Sequence, residues 1–138
     1  MVMKTGLFTL VFAIFVTLNV NGQNKKNVVE NNIHKVTVYE DKADKAGGES
    51  IESVTIFNED GEITEEIEYN SEGEIKKHIK YTFDDENRKI KETHLDAKGK
   101  TEKVYEFKYS GSLKTERTEY DDKGKIVCKK RYVYEMKK

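Results

Sequence analysis

One seven-residue pattern returns along this chain and determines how often the backbone must reverse direction. An aromatic residue or Leu is followed by Asn or Asp, by two variable residues, and then by Gly in all copies but one. Most copies follow each other at about 12 to 14 residues, close to the length of one strand and one turn. Five copies are present, at 57–63, 69–75, 83–90, 95–101 and 120–126, and a shortened version occupies 109–113.

Each position of the pattern has a physical task at a hairpin corner. Asn or Asp at the second position caps the N–H groups of a type I turn. The fifth position needs a left-handed backbone, which Gly adopts without cost and which Asn, found at Asn87, tolerates well. The pattern therefore predicts a type I turn with a G1 bulge. The flanking residues should pair across the strands: Phe57 with Ile63, Tyr69 with Ile75, and Tyr120 with Ile126.

Acidic residues gather at several corners and raise the alternative of a repeated calcium loop. An EF-hand spreads its acids over about 12 residues. These turns are shorter, and Lys98 and Lys123 replace acids at two of them. The residues therefore favour structural corners, and no metal ligands are predicted. The acidic clusters concerned are Glu59, Asp60 and Glu62 at the first corner and Asp84, Asp85 and Glu86 at the third.

Between the corners, apolar and polar residues alternate with the period of two that is typical of strands. In 75–83 the odd-numbered residues are apolar or aromatic except Lys77, and the even-numbered ones are Lys, His or Thr. Short connections between successive strands predict antiparallel neighbours and hence a meander. About eight strands are expected, at roughly 33–39, 51–57, 63–69, 75–83, 89–95, 101–109, 112–120 and 126–135.

Charged residues interrupt the apolar phase of the strands and limit how the sheet can close. A sealed barrel would bury these charges at a high cost in free energy. The predicted fold is therefore all-β: an antiparallel meander of about eight strands in an open twisted single sheet or half-barrel, built from hairpin repeats. The charges concerned are Glu65, Lys77, Glu92, Lys103, Arg117 and Lys130.

The beginning of the chain differs in character from the rest. Lys4 precedes an uncharged and mostly apolar run at 6–18, which is shorter than the roughly 20 residues of a transmembrane helix. This pattern predicts a secretory signal peptide cleaved after Gly22, with Val20 at the −3 position; an uncleaved membrane anchor is the alternative. The expected organisation is a signal peptide at 1–22, a flexible lead-in at 23–32 and a β-repeat domain at 33–138.

Charge and cysteine content limit the cellular locations and the classes of partner that the sequence is compatible with. Cleavage would remove only Lys4 from the 25 basic residues and none of the 26 acidic ones, which leaves a net charge of about −2. Both signs are interspersed, so the basic footprint that nucleic-acid binding requires is missing. Cys128 is the only cysteine and allows no intrachain disulfide. Among exported proteins, this composition is typical of the bacterial periplasm or cell surface.

The sequence Tyr-Asp-x-x-Gly-Lys-Ile at 120–126 resembles the YD repeat of RHS-type bacterial proteins, and the corners resemble that pattern over about 57–135. The chain is also similar to the MORN-variant repeats of some bacterial antitoxins. As a whole it resembles small secreted proteins of unknown function from gut-type Gram-negative bacteria. RHS arrays build a shell around a toxin, and eight strands are too few for that. The resemblance therefore implies hairpin repeats but transfers no catalytic residue.

No constellation of residues predicts catalysis or cofactor binding. His78 falls on the polar phase of its strand and His94 on the apolar phase of the next, so they should point to opposite faces and not share a metal. No phosphate loop, nucleophile elbow or zinc-protease motif occurs. The remaining candidate is a partly exposed aromatic band, for which the core of a rolled sheet or dimer is the favoured interpretation and a partner-binding surface is the alternative. Its members are Tyr69, Tyr81, Tyr105, Tyr109, Tyr132 and Tyr134.

Together these features predict an exported, non-enzymatic β-repeat protein that binds a protein or polysaccharide or contributes to the cell envelope. It would have no nucleic-acid partner, no cofactor and no membrane span after signal cleavage. The alternatives are an immunity or antitoxin-like protein, based on the MORN-variant resemblance, and a small glycan hydrolase that uses surface acids. The free edges of an open sheet also predict a weak homodimer, or an edge covered by the N-terminal segment.

Overall fold

A computed structural model describes residues 23–41 and 48–138, and the predicted signal peptide at 1–22 lies outside them. Eight hydrogen-bonded strands form one sheet, and a short helix precedes them. The helix is α1 (Gln23–Glu30). The strands are β1 (Lys35–Glu40), β2 (Ser50–Phe57), β3 (Ile63–Tyr69), β4 (Ile75–Phe83), β5 (Lys89–Leu95), β6 (Thr101–Ser110), β7 (Leu113–Tyr120) and β8 (Ile126–Arg131).

The order of the strands in the sheet is their order in the chain, and each strand is antiparallel to the next. The predicted fold class is therefore confirmed as an antiparallel meander in one open sheet. Within the described residues β1 and β8 each pair on one side only, and edge-to-edge dimerisation stays a prediction. β8 ends at Arg131 instead of 135: its pairing with β7 ends at Glu116 and Arg131, beside Thr115, which the β6–β7 pairing skips.

The repeated corners adopt the predicted turn. At the first corner Gly61 N donates to Asn58 O at 3.0 Å, and Asn58 N donates to Glu62 O at 2.9 Å. The side-chain Oδ1 of Asn58 accepts a further hydrogen bond from Glu62 N at 2.9 Å. At the five full copies of the corner the fifth position has a positive φ, between 75° and 81° for Gly and 58° for Asn87. All three expected cross-strand pairs of flanking residues form as well.

The aspartates at three of these corners give the fold a pH dependence. In Asp84, Asp96 and Asp121 the largest cause of a lowered pKa is a hydrogen bond from the backbone N–H four residues on. A lowered folded-state pKa stabilises the fold fully above the unfolded-state pKa of about 3.9, and this contribution is lost as the pH falls through the lower folded value. We therefore expect the urea midpoint to decrease between about pH 5 and pH 2.

The matched control for that pH dependence is the replacement of all three aspartates by Asn. Asn70 already accepts the corresponding bonds from Glu72 N at 3.0 Å and Glu74 N at 2.9 Å, so the triple variant should fold at pH 7. Urea titrations of both proteins at several pH values measure the difference. An identical acid dependence in the two proteins would show that the caps do not contribute to it.

A register shift of one residue accompanies every corner, and each of the seven strand pairs has one. Phe57 pairs with Ile63, for example, but Ile56 pairs with Glu65, so Thr64 is skipped. Bulges of this kind increase the right-handed twist of the strands. They also determine which side chains face each other on neighbouring strands, and the sequence of a single strand does not show these pairs.

The apolar side chains are divided between the two faces of the sheet. We call the side that carries Ile79, Tyr81 and Phe107 the front face, and the side that carries Val54 and Ile67 the back face. Alternation along single strands suggests one apolar and one wet face, but the register places apolar residues of neighbouring strands on opposite sides. The buried apolar residues of the described chain number only five: Val28, Val54, Phe57, Ile79 and Phe107.

The expected flexible lead-in at 23–32 contains α1 over most of its length. Val28 is buried, and the helix lies against the β2–β3 corner, where Lys25 forms an ion pair with Glu62. The segment is rich in Asn and Lys, so neither apolar periodicity nor a cap signalled this helix. No helix of the described residues is long and apolar enough to cross a membrane.

Candidate functional site

The central feature of the front face is a row of side chains that runs across strands β4, β5 and β6. Tyr81 lies directly opposite Glu92, and Glu92 lies directly opposite Tyr105. Two strand spacings separate the two tyrosines, which corresponds to about 10 Å. Phe107 lies two residues beyond Tyr105 on β6 and therefore points to the same side. The sheet thus presents three aromatic rings around one carboxylate.

Cations cover these rings from the same side of the sheet. The ammonium of Lys89 lies 4.9 Å from the centre of the Tyr81 ring and 5.3 Å from that of Phe107. Lys114 lies 4.5 Å from the centre of the Phe107 ring, and the Arg117 guanidinium lies 4.4 Å from that of Tyr105. Such contacts contribute roughly 0.5–2 kcal/mol each, depending on desolvation. In a sheet without a second layer, these long side chains shield the rings from water.

Glu66 organises the part of the front face nearest to α1. The Tyr81 hydroxyl donates to Glu66 Oε2 at 2.7 Å, and Lys77 Nζ lies 3.5 Å from the same oxygen and 3.0 Å from Glu68 Oε1. Burial and the hydrogen bond to Glu66 raise the pKa of Tyr81 well above its ordinary value. Burial opposes the charge on Lys77, but Glu68 and Glu66 together raise its pKa.

Glu92 holds the centre of the row as an ionised carboxylate. Lys89 Nζ donates to it at 2.8 Å, and His94 Nε2 lies 2.6 Å from its other oxygen. Burial alone would raise the pKa of Glu92, but the hydrogen bonds from Lys89 and His94 outweigh burial and lower it. A general acid needs a raised pKa. Glu92 is therefore better suited to holding cations in place than to donating a proton.

Lys114 is one of the cations of this region without a carboxylate partner among the described residues. Its ammonium rests on the Phe107 ring, which is 9% exposed. Burial, Lys89 and Arg117 all lower the pKa of Lys114. Such an ammonium is partly desolvated and repelled by its neighbours, and it would gain free energy from an anion.

The charge on the front face changes sign along the sheet. Strands β5 to β8 carry five cations and two carboxylates on this side, and we call this region the basic half. Its carboxylates are both occupied, Glu92 by Lys89 and Glu119 by Arg117 at 3.4 Å. The cations of the basic half are Lys89, Lys103, Lys114, Arg117 and Lys130.

A cleft of about 310 Å³ lies between α1 and the front face, beside the basic half. Its volume is near the lower end of the range of small-ligand sites. The charges that line it already have partners, because Lys25 pairs with Glu62 and Lys89 with Glu92. The unbalanced charge lies farther along the sheet. The lining residues are Lys25, Gly61, Glu62, Ile63, Glu66, Tyr81, Phe83 and Lys89.

The structure brings together some of the six predicted tyrosines and separates others. Tyr81 and Tyr105 share the central row, and Tyr109 lies at its edge, where its hydroxyl donates to Lys89 O at 2.8 Å. Tyr69 lies at the opposite end of the sheet, beside the β3–β4 corner. The other two, Tyr132 and Tyr134, follow β8 in the exposed C-terminal segment, and the Tyr134 hydroxyl donates to Lys114 O at 2.7 Å.

The histidines and the cysteine do not converge. His78 is on the back face, 2.6 Å from Glu65, whereas His94 is on the front face beside Tyr105. Cys128 is a free thiol on the edge strand β8. Over 23–41 and 48–138, no group of three His, Cys, Asp or Glu side chains is placed to hold a metal ion.

Some residues of the basic half are predictable from the sequence and others are not. Lys103, Arg117 and Lys130 were recognised as charges on the apolar phase of their strands. Lys89 and Lys114 were missed, because each stands next to a corner, where the register shift decides the face on which a side chain lies. The sequence does contain one signal for these two residues, which is their shared position. Each is among the first residues of a strand that follows a corner, and the strand before that corner is rich in aromatic residues.

The chain was also compared with known proteins. No protein-family model matches it, and no curated protein matches it significantly.

Proposed function

We propose that this protein is an exported binding module of the cell envelope, and that the front face of its sheet is the binding surface. The export is supported by the apolar segment at 6–18 and by the small residue at Gly22. The binding role is supported by the aromatic rings and cations that the open sheet presents on one side. Periplasm and cell surface are both consistent with this role.

One observation supports the proposal most directly: long side chains of the strands themselves cover the aromatic rings of the front face. α1 contacts the β2–β3 corner, the strands contact each other along the sheet, and the C-terminal segment reaches β7 where the Tyr134 hydroxyl donates to Lys114 O. Tyr105 and Phe107 are covered by Arg117 and Lys114, whose stems can move aside at the cost of side-chain contacts alone. A partner could therefore reach the row without any rearrangement of the sheet.

Two measurements test this proposal. Mass spectrometry of the protein from fractionated cells should show Gln23 as the first residue, and recovery from the cytoplasm with Met1 retained would contradict export. The purified 23–138 chain should co-sediment with isolated envelopes of its host. Tyr105→Ala should reduce the bound fraction about tenfold, because it removes the ring under Arg117.

The matched control is Tyr39→Ala, which removes the same side chain from an exposed position on the edge strand β1. It should leave binding within about twofold of the unsubstituted protein. Circular dichroism establishes that both variants keep the sheet. Equal loss in the two variants, or no co-sedimentation of the unsubstituted protein, would contradict the proposal that the front face binds the envelope.

A further inference from the structure

We propose that the basic half of the front face binds an acidic polysaccharide through the carboxylates of its uronic acid units, with Lys114 as the principal contact. This inference rests on the proposed binding role of the front face and adds the chemical class of the partner.

The charges of the basic half do not balance. Two cations of the basic half, Lys89 and Arg117, are held by carboxylates of the same chain. Lys103, Lys114 and Lys130 have no carboxylate partner among the described residues. Arg117 and Lys130 lie directly opposite each other on β7 and β8, and like charges in such a pair are destabilising. An anion bound between the strands would relieve this repulsion.

Aromatic rings of β6 hold two of the unpaired ammonium groups in position. The Phe107 ring holds Lys114 at 4.5 Å, and the Tyr105 ring holds Lys103 at 5.6 Å. Both rings lie on β6, two residues apart and on the same face, so the two cations are held at separate points along one strand. Cations at two separate points suit a polymer that carries repeated carboxylates better than a single small anion.

The surface of the basic half suits a polysaccharide better than a protein. Protein interfaces depend on apolar anchors that fill pockets. The large exposed apolar side chains of the described residues lie on α1, β1, β2, β8 and the C-terminal segment, and none lies on β3 to β7. Around Lys114 the surface offers charges, hydrogen-bonding groups and the exposed ring of Tyr134, whose hydroxyl donates to Lys114 O at 2.7 Å. Such a polar surface matches a hydrated acidic polymer.

The test uses isothermal titration of the 23–138 chain with an oligogalacturonate of about ten units. Lys114→Gln should weaken binding about tenfold, because a charge-assisted contact is lost, and Lys114→Arg should retain most of the affinity. The matched control is Lys91→Gln, which removes the same charge from an exposed position opposite Glu106, on the back face. This control should change the affinity by less than about twofold.

Three further titrations separate the alternatives. A neutral cello-oligosaccharide should not bind, inorganic phosphate should bind far more weakly, and a polyglutamate peptide of equal charge should bind less tightly than oligogalacturonate. Equal effects of Lys114→Gln and Lys91→Gln, tighter binding of polyglutamate, or no binding of oligogalacturonate would each overturn the inference. If envelope binding still depends on Tyr105 in that case, the proposed function stands and only the partner class is wrong.

Discussion

Replacing Ile79 by Ala is expected to lower the free energy of unfolding by about 2–4 kcal/mol. Ile79 is 5% exposed and lies in the middle of β4, opposite Glu66 on one side and His94 on the other. Its neighbours are polar side chains held by an ion pair and a hydrogen bond, and they cannot move into the space without losing their partners. The cavity would therefore remain, and water would reach the apolar stems around it.

The matched substitution is Ile126→Ala on the edge strand β8, where the side chain is 52% exposed. It removes the same atoms and should change the free energy of unfolding by no more than about 0.5 kcal/mol. Urea unfolding followed by circular dichroism measures both values. A similar cost at the two positions would show that burial on the front face does not stabilise the sheet.

Replacing Gly61 by Ala is expected to cost about 2–4 kcal/mol and to detach α1 from the sheet. Gly61 has a φ of 75°, which is unfavourable for a residue with a Cβ. A Cβ at this position would also lie 2.8 Å from Val29 Cγ2 and 3.1 Å from the backbone oxygen of Lys25. The backbone of α1 would have to move, and the ion pair between Lys25 and Glu62 would be lost with it.

Gly73→Ala separates the backbone strain from the contact with the helix. Gly73 occupies the same position in the next corner with a φ of 80°, but a Cβ there meets nothing within 4 Å. It should therefore cost only about 1–2 kcal/mol, the strain of the left-handed conformation. Helical signal and urea midpoint measured for both variants test the difference. Equal costs, with the helical signal intact in both, would mean that α1 is not held at this corner.

The strand boundaries were predictable because the corner chemistry is local. Asn70 and Gly73 specify a turn whatever the rest of the chain does, so β3 and β4 meet where the pattern places them. The end of β8 was not predictable in this way, because no corner follows it. The helix α1 was missed for the opposite reason, since its buried Val28 acquires meaning only beside the β2–β3 corner.

The candidate site was predictable only in part, because it depends on contacts across strands. The tyrosines 81 and 105 were identified from alternation, and both belong to the central row. The contact of Lys114 with Phe107 depends on the register shift between β6 and β7, which skips one residue beside a shortened corner. A shift of one residue reverses the face of a side chain, and alternation within a strand does not reveal it.

The exclusive pairing of each strand with its neighbours in sequence has a consequence for the way the chain folds. Every strand pair of the sheet closes a short loop, so little chain entropy is lost before the first contacts form. Folding can begin at any corner and extend outward strand by strand, as in linear repeat proteins. For the same reason a strand with its corner can be gained or lost at either end while the others keep their partners, and the chain can change length in evolution by units of one strand.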